Sequence, residues 1–144
     1  MCIRRATAAD IPSMLEIYRP YVENTTYSFE YTLPTLEEFT RRFQQLTAFF
    51  PWLVWEEDGQ VLGYAYGSRP YARAAYGWCA EPSVYLAPEA HRKGIGTALW
   101  NTMLDWAAEK GCNNLEFTCG TGREASQQFY KNHGATIYDT NFFR

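Results

Sequence analysis

Apolar residues recur along this chain with two periods, and the change from one to the other lays out its elements. Ile11, Met14, Leu15 and Tyr18 stand three and four apart, the spacing of one helical face. Thr7 precedes them with Asp10 three residues on, a capping box, and Pro20 is expected to end that helix. Residues 21–33 carry no period. A second box opens at Thr35-Leu36-Glu37-Glu38, with Leu36, Phe39, Phe43 and Leu46 along one face. Strands of period two then follow. Trp52 to Glu56 and Val61 to Ser68 flank Glu57-Asp58-Gly59, a hairpin signal. After a loop over Arg69 to Ala75, a strand is expected from Tyr76 to Leu86, with Pro82 inside it. Proline cannot donate to a ladder, so the spacing predicts a bulge or break there.

The remaining pattern gives a helix over Gly94 to Lys110, stopped by Gly111, and a strand over Leu115 to Cys119. A short helix over Arg123 to Asn132 ends at Gly134, and Ala135 to Tyr138 opens a last strand. With the short first strand Ile3 to Ala6, the order is β-α-α-β-β-β-α-β-α-β. This is an α/β chain of the mixed-sheet, α+β type, with helices on both faces and a bulged central strand. At 144 residues it is read as a single domain, 1–144.

Composition narrows the classes of function. Hydrophobic residues make up 47% and charged ones 20%, which excludes a disordered chain. A net charge of −3 argues against nucleic acid as partner, and no apolar run reaches membrane length. Met1-Cys2-Ile3-Arg4-Arg5 lacks a signal-peptide core, so a cytoplasmic location is expected. Cys2, Cys79, Cys112 and Cys119 form no C-x-x-C pair, and no histidine stands at ligand spacing, so no metal is expected. In a reducing compartment they read as small buried hydrophobes; Cys119 as a nucleophile lacks a base placed for it.

The chemistry concentrates after the proline-bearing strand. Ser83 to Leu86 leads through a loop into Arg92-Lys93-Gly94-Ile95-Gly96-Thr97, and a helix starts at once. Glycines allow close backbone approach, the first helical turn leaves N–H groups unpaired, and two cations sit beside them. That combination suits a phosphate or pyrophosphate. It is not a P-loop, because no Gly-Lys-Ser/Thr occurs, and the dinucleotide fingerprint fails at its third glycine, where Leu99 stands.

The loop resembles the acetyl-CoA pyrophosphate loop of the GNAT family of N-acetyltransferases, and the resemblance covers the whole order of elements. Asn24 to Phe29, Glu81-Pro82-Ser83-Val84-Tyr85 and the Arg-Lys-Gly-Ile-Gly loop look most like its phosphinothricin acetyltransferase branch. That likeness implies an acetyl-CoA-dependent enzyme that acetylates the amine of a small amino-acid-like molecule by direct attack, and a homodimer. It implies a catalytic base at Glu81, with Glu116 a rival, and a general acid at Tyr130 within Phe129-Tyr130-Lys131-Asn132-His133-Gly134. Cofactor contacts fall on Val84, Tyr85 and Leu86 and on the loop Arg92, Lys93, Gly94, Ile95, Gly96 and Thr97. Where relatives carry an Asn, this chain has Arg123, a further candidate for a CoA phosphate.

For the acceptor, Tyr27, Phe29 and Tyr31 alternate and could line one wall, with Glu30 pointing elsewhere. Arg69 and Arg73 could pair with a carboxylate. His91 and His133 read as surface and helix-end residues. Acetylation of a protein N-terminus or lysine, and a non-catalytic acyl-CoA-binding module, stand as alternatives.

Overall fold

The computed structural model describes residues 1–25, 30–69, 79–112, 114–115 and 124–136. Its elements are β1 (Cys2–Arg5), α1 (Ile11–Glu23), α2 (Leu36–Thr47), β2 (Trp52–Glu57), β3 (Gln60–Ser68), β4 (Cys79–Leu86), α3 (Ile95–Glu109), β5 (Asn114–Leu115) and α4 (Glu124–Asn132). The expected order holds as far as α4. The last strand and the outer parts of the strands expected around β4 and β5 fall largely outside the described residues. The sheet runs β1-β2-β3-β4-β5, antiparallel except for the parallel β4–β5 pair.

Capping chemistry starts the first two helices. The Thr35 hydroxyl accepts the Glu38 N–H at 3.1 Å, a cap worth about 1 kcal/mol. At α1 the Thr7 N–H donates to the Asp10 carboxylate at 2.7 Å, and a 3-10 turn, Ala8–Asp10, leads into the helix. Asp10 is buried, and both terminal nitrogens of Arg4 donate to it at 2.8 Å. Arg4 also holds Glu56, so one guanidinium ties β1, β2 and the start of α1 together.

Pro20 does not end α1; the helix continues through Glu23. The missing N–H removes one bond, but the Pro20 carbonyl still accepts the Asn24 N–H at 2.9 Å. The extra turn also buries Val22. Burial outweighs one lost hydrogen bond here.

The hairpin between β2 and β3 turns on Asp58 (φ 51°) and Gly59 (φ 77°), both left-handed as a two-residue I′ turn requires. Tyr64 and Tyr66 face α1 and α2, with the Tyr64 ring 6.5 Å from Phe39. The alternate positions face α3, where a methyl built on Gly63 would lie 3.4 Å from Leu99 Cδ1. Helices thus cover both faces, and Met14, Val54, Tyr64, Ile95 and Leu99 are fully buried between them.

The irregularity expected at Pro82 takes a different form. β4 keeps register with β3 from Gly63–Leu86 to Ser68–Glu81 without a shift, and the only register shift among the described strand pairs lies at Trp55/Glu56 in β2. On the other edge, β5 meets β4 at Cys79 and Ala80 among the described residues. Pro82 is harmless to the β3 ladder because of which way it points, as the site makes plain.

Candidate active site

Antiparallel geometry decides which main-chain groups of β4 are spare. The Ala87 N–H donates to the Leu62 carbonyl at 2.9 Å, so the odd positions of β4 bond β3. The even positions, Pro82, Val84 and Leu86, turn their main-chain groups to the β5 side, beyond the described β4–β5 pairs. Pro82 therefore lacks its N–H where β3 has no use for it. Val84 offers both groups, and no described residue bonds them.

Leu86 is already engaged. The Tyr21 hydroxyl donates to the Leu86 carbonyl at 2.8 Å and accepts its N–H at 3.4 Å, and it lies 3.3 Å from His91 Nε2. The sequence reading missed Tyr21 because it placed the end of α1 before that residue. Tyr85, expected among the cofactor contacts, is turned away: its main chain belongs to the β3 ladder and its ring packs 5.1 Å from Tyr18 and from Tyr21.

Beyond Leu86 the chain makes a 3-10 turn, Pro88–Ala90, and then two left-handed residues, Arg92 (φ 61°) and Gly94 (φ 79°). A non-glycine residue in that region costs about 1–2 kcal/mol. The conformation gathers successive N–H groups into a concave, anion-seeking surface. The first helical bond of α3 runs from the Ala98 N–H to the Gly94 carbonyl at 3.0 Å, so Ile95, Gly96 and Thr97 carry N–H groups with no acceptor inside the helix. The Ile95 side chain is buried and pins this turn. Arg92 and Lys93 are exposed and paired with no carboxylate among the described residues. A methyl built on Gly96 would lie 3.4 Å from Leu86 Cδ1 and 4.0 Å from Phe129 Cε2. Gly96 thus lies between the side chains of Leu86 at the end of β4 and Phe129 on α4. The outward main-chain groups of β4 and the N–H-rich loop follow one another along the chain, a succession suited to a chain of amides that ends in phosphates.

Glu81 stands opposite Ser68 on β4, half-buried, with no hydrogen bond or ion pair to a described residue. Burial pushes its carboxyl above the usual carboxylate range. Its side chain shares the α1/α2 face with Ser83, Tyr85 and Tyr66. Tyr130 lies on α4 with its ring 5.3 Å from Trp100. The Tyr85 phenol is pushed up chiefly by burial, and Tyr130 is near enough to add to the effect.

On the Glu81 face, α1, α2 and the sheet enclose a cavity of about 250 Å³ whose lining includes Tyr18, Phe39, Arg42, Trp52, Tyr64 and Tyr66. Tyr31 does not contribute, since its ring is fully exposed. Glu30 points inward instead, accepting from the Tyr18 hydroxyl and from Arg42. Both reversals follow from one contact, because a carboxylate drawn to Arg42 turns its neighbour outward. Arg69 is exposed and lies over the Phe49 ring, 5.6 Å from its centre. Tyr27, Phe29, Arg73, Glu116, Cys119 and Arg123 lie outside the described residues. His133 Nδ1 is 2.6 Å from the Phe129 carbonyl and closes the end of α4. Cys2 is exposed rather than buried, and Cys112 is half-buried. No three metal-ligating side chains converge among the described residues, and none of the described helices is long and apolar enough to cross a membrane.

Known proteins share this arrangement. Phosphinothricin N-acetyltransferase of Streptomyces viridochromogenes is 32% identical over 138 residues, which are 96% of this chain and 75% of that one. A phosphinothricin acetyltransferase from Sinorhizobium meliloti, solved in complex with acetyl-CoA, superposes with a TM-score of 0.88 at 36% identity, over 92% of this chain and 73% of that one. Ribosomal-protein-alanine N-acetyltransferase from Brucella melitensis gives a TM-score of 0.90 at 34% identity, over 93% and 83%. Residues 11–135 match the sequence model of the acetyltransferase (GNAT) family, and the chain belongs to that family.

Proposed function

We propose that this acetyl-CoA-dependent N-acetyltransferase acts on the primary amine of a small amino-acid-like molecule, by direct attack. The observation that carries this reading is the position of Glu81. It is a half-buried carboxylate, unpaired among the described residues, on the face that holds an aromatic-walled cavity, in the strand that leads into the Arg92–Thr97 loop. Acetyl-CoA supplies an activated thioester. On the protein side, Arg92, Lys93 and the N–H groups of Gly94 to Thr97 hold its phosphates, and Val84 holds an amide of its arm.

An alkylammonium titrates near pH 10, so little free amine exists at neutral pH. Glu81 draws the cation and takes its proton, directly or through water. The amine nitrogen forms its bond to the acetyl carbon as the carbon–sulfur bond breaks; the Tyr130 hydroxyl gives the departing sulfur its proton and is reprotonated by the second proton that the nitrogen loses on becoming an amide. The raised pKa of Glu81 makes it a stronger base than an exposed carboxylate. The small aromatic-walled cavity, about 250 Å³, favours a small acceptor over a protein N-terminus. The reading extends to one domain over 1–144 and to a cytoplasmic homodimer; the resemblance and the aromatic content (17%) support these last points.

A thiol-release assay with an amine panel tests the proposal. Turnover with free α-amino acids and their analogues, and none with peptides bearing free N-termini, is expected. The reverse preference would overturn the assignment of substrate.

A further inference from the structure

The last turn of α4 is fastened at both peptides that flank Tyr130. Gly134, with φ 87°, closes the helix in a Schellman motif. In it the Ala135 N–H donates to the Tyr130 carbonyl at 3.0 Å and the Gly134 N–H to the Lys131 carbonyl at 3.1 Å. The His133 N–H also donates to the Tyr130 carbonyl, at 3.1 Å. On the other side of Tyr130, the Phe129 carbonyl accepts from an imidazole. His133 Nδ1 lies 2.6 Å from it, and a carbonyl only accepts, so Nδ1 carries the hydrogen. The Phe129 carbonyl shares one rigid peptide plane with the Tyr130 nitrogen. The imidazole therefore helps to fix the direction in which the Tyr130 side chain leaves the helix.

Rings complete the fastening. The His133 ring lies 4.3 Å from Phe129 and 6.5 Å from Trp100. Trp100, on α3 one turn beyond Gly96, is 3% exposed and meets Phe129 at 6.0 Å and Tyr130 at 5.3 Å. None of the nine residues of α4 is fully buried, and a helix so short is marginal in isolation, so contacts at its end count for more.

The proposed chemistry makes that direction matter. Proton transfer needs donor and acceptor within about 2.6–3.2 Å. A turn of about 10° at the peptide moves a phenol oxygen by about 1 Å, enough to slow a transfer severely.

Resting on the proposed general-acid role of Tyr130, we propose that His133 is its positioning residue. The imidazole holds the Phe129 peptide and thereby aims the Tyr130 hydroxyl at the departing sulfur.

Two substitutions separate the hydrogen bond from the ring. His133→Asn keeps a donor at the place of Nδ1 and loses the ring, whereas His133→Phe keeps a ring and loses the donor. Thiol release is measured at saturating acetyl-CoA with the best acceptor of the amine panel. Counting kcat per acetyl-CoA site titrated by calorimetry cancels any unfolded enzyme. His133→Phe is expected to lower kcat about threefold to fivefold, with the KM for acetyl-CoA within about twofold of the parent value. His133→Asn should keep kcat within about twofold. In a Tyr130→Phe background, His133→Phe should add no further loss. A kcat in His133→Asn no higher than in His133→Phe, or an equal loss in both backgrounds, overturns the positioning role. The acid role of Tyr130 survives that result as long as Tyr130→Phe alone is impaired. If Tyr130→Phe is fully active, the acid role fails and the positioning role falls with it. If no amine is acetylated, the same variants are compared on thiol release to water, where the departing sulfur needs the same proton.

Discussion

Replacing Gly96 by alanine separates what the fold tolerates from what the cofactor requires. The new methyl would lie 3.4 Å from Leu86 Cδ1 and 4.0 Å from Phe129 Cε2, both ordinary contact distances. Gly96 sits in the first turn of α3 and is not among the glycines with positive φ. Alanine is a better helix former than glycine by at most about 1 kcal/mol, so the protein should be unharmed or slightly stabilised. For a chain of this size that is at most about 4 °C in Tm. Yet the same methyl stands on the N–H-rich turn that the proposed function assigns to the cofactor phosphates, between Leu86 and Phe129. Acetyl-CoA affinity is expected to fall about tenfold, or 1.4 kcal/mol. Gly94→Ala should behave in the opposite way on stability. Its φ of 79° costs a non-glycine residue about 1–2 kcal/mol, although nothing lies within 4 Å of the new methyl. Calorimetric titration with acetyl-CoA and a thermal melt of each variant measure both quantities. A Gly96→Ala protein with normal melting and normal affinity would refute the path assigned to the cofactor.

Three further outcomes are expected. The Asp10 carboxyl is held at about 2 against an ordinary 3.8, first by hydrogen bonds from Arg4, and its burial opposes the shift. At 1.36 kcal/mol per unit this contributes about 2 kcal/mol, present above about pH 4 and lost as pH falls through 2. Urea unfolding should show Asp10→Asn destabilised by about that amount at pH 7, with the gap closing near pH 2; a gap independent of pH would contradict the linkage. Tyr21→Phe frees both outward groups of Leu86 for the cofactor arm, so acetyl-CoA should bind about twofold to fivefold tighter while stability drops by about 1 kcal/mol; weaker binding would show that the hydroxyl supports the cofactor edge. Tyr130→Phe should lower kcat by no more than about 100-fold, since a thiol of pKa near 8.5 needs little help to leave, with acetyl-CoA affinity unchanged. Full activity across the pH range would leave Tyr130 a packing residue.

What the sequence reveals depends on how local the cause is. The Thr35 cap and the Asp58-Gly59 turn are written in neighbouring residues, and each stands where its residues say. Pro20 misleads because its effect is settled by tertiary burial of Val22 rather than by its own ring. Pro82 misleads in another way. A proline marks a missing N–H, but only strand pairing tells which edge lacks it, and here the missing N–H lies toward β5. At the site, Glu81 and the Arg92–Thr97 loop are consecutive with motifs and could be found by reading along the chain. Tyr21 on α1 reaches Leu86 on β4, and Arg42 on α2 and Trp52 on β2 line one cavity, only in the folded protein. Glu30 and Tyr31 exchange their expected directions because Arg42, twelve residues beyond Glu30, claims the carboxylate.

The central claim is that Glu81 removes the proton from the acceptor ammonium, and Glu81→Gln tests it most directly. The substitution keeps shape and removes only basicity. A pH profile of kcat/KM for the best acceptor, measured for both proteins at two ionic strengths, carries the test. The account predicts a marked loss at neutral pH that shrinks as free amine becomes available toward pH 10, with little dependence on salt. In the parent enzyme the acid limb should fall above the ordinary carboxylate range, because burial raises the Glu81 carboxyl. A loss confined to KM that fades at high salt would mean that Glu81 only steers the cation. Equal rates for the two proteins at neutral pH would contradict the account outright.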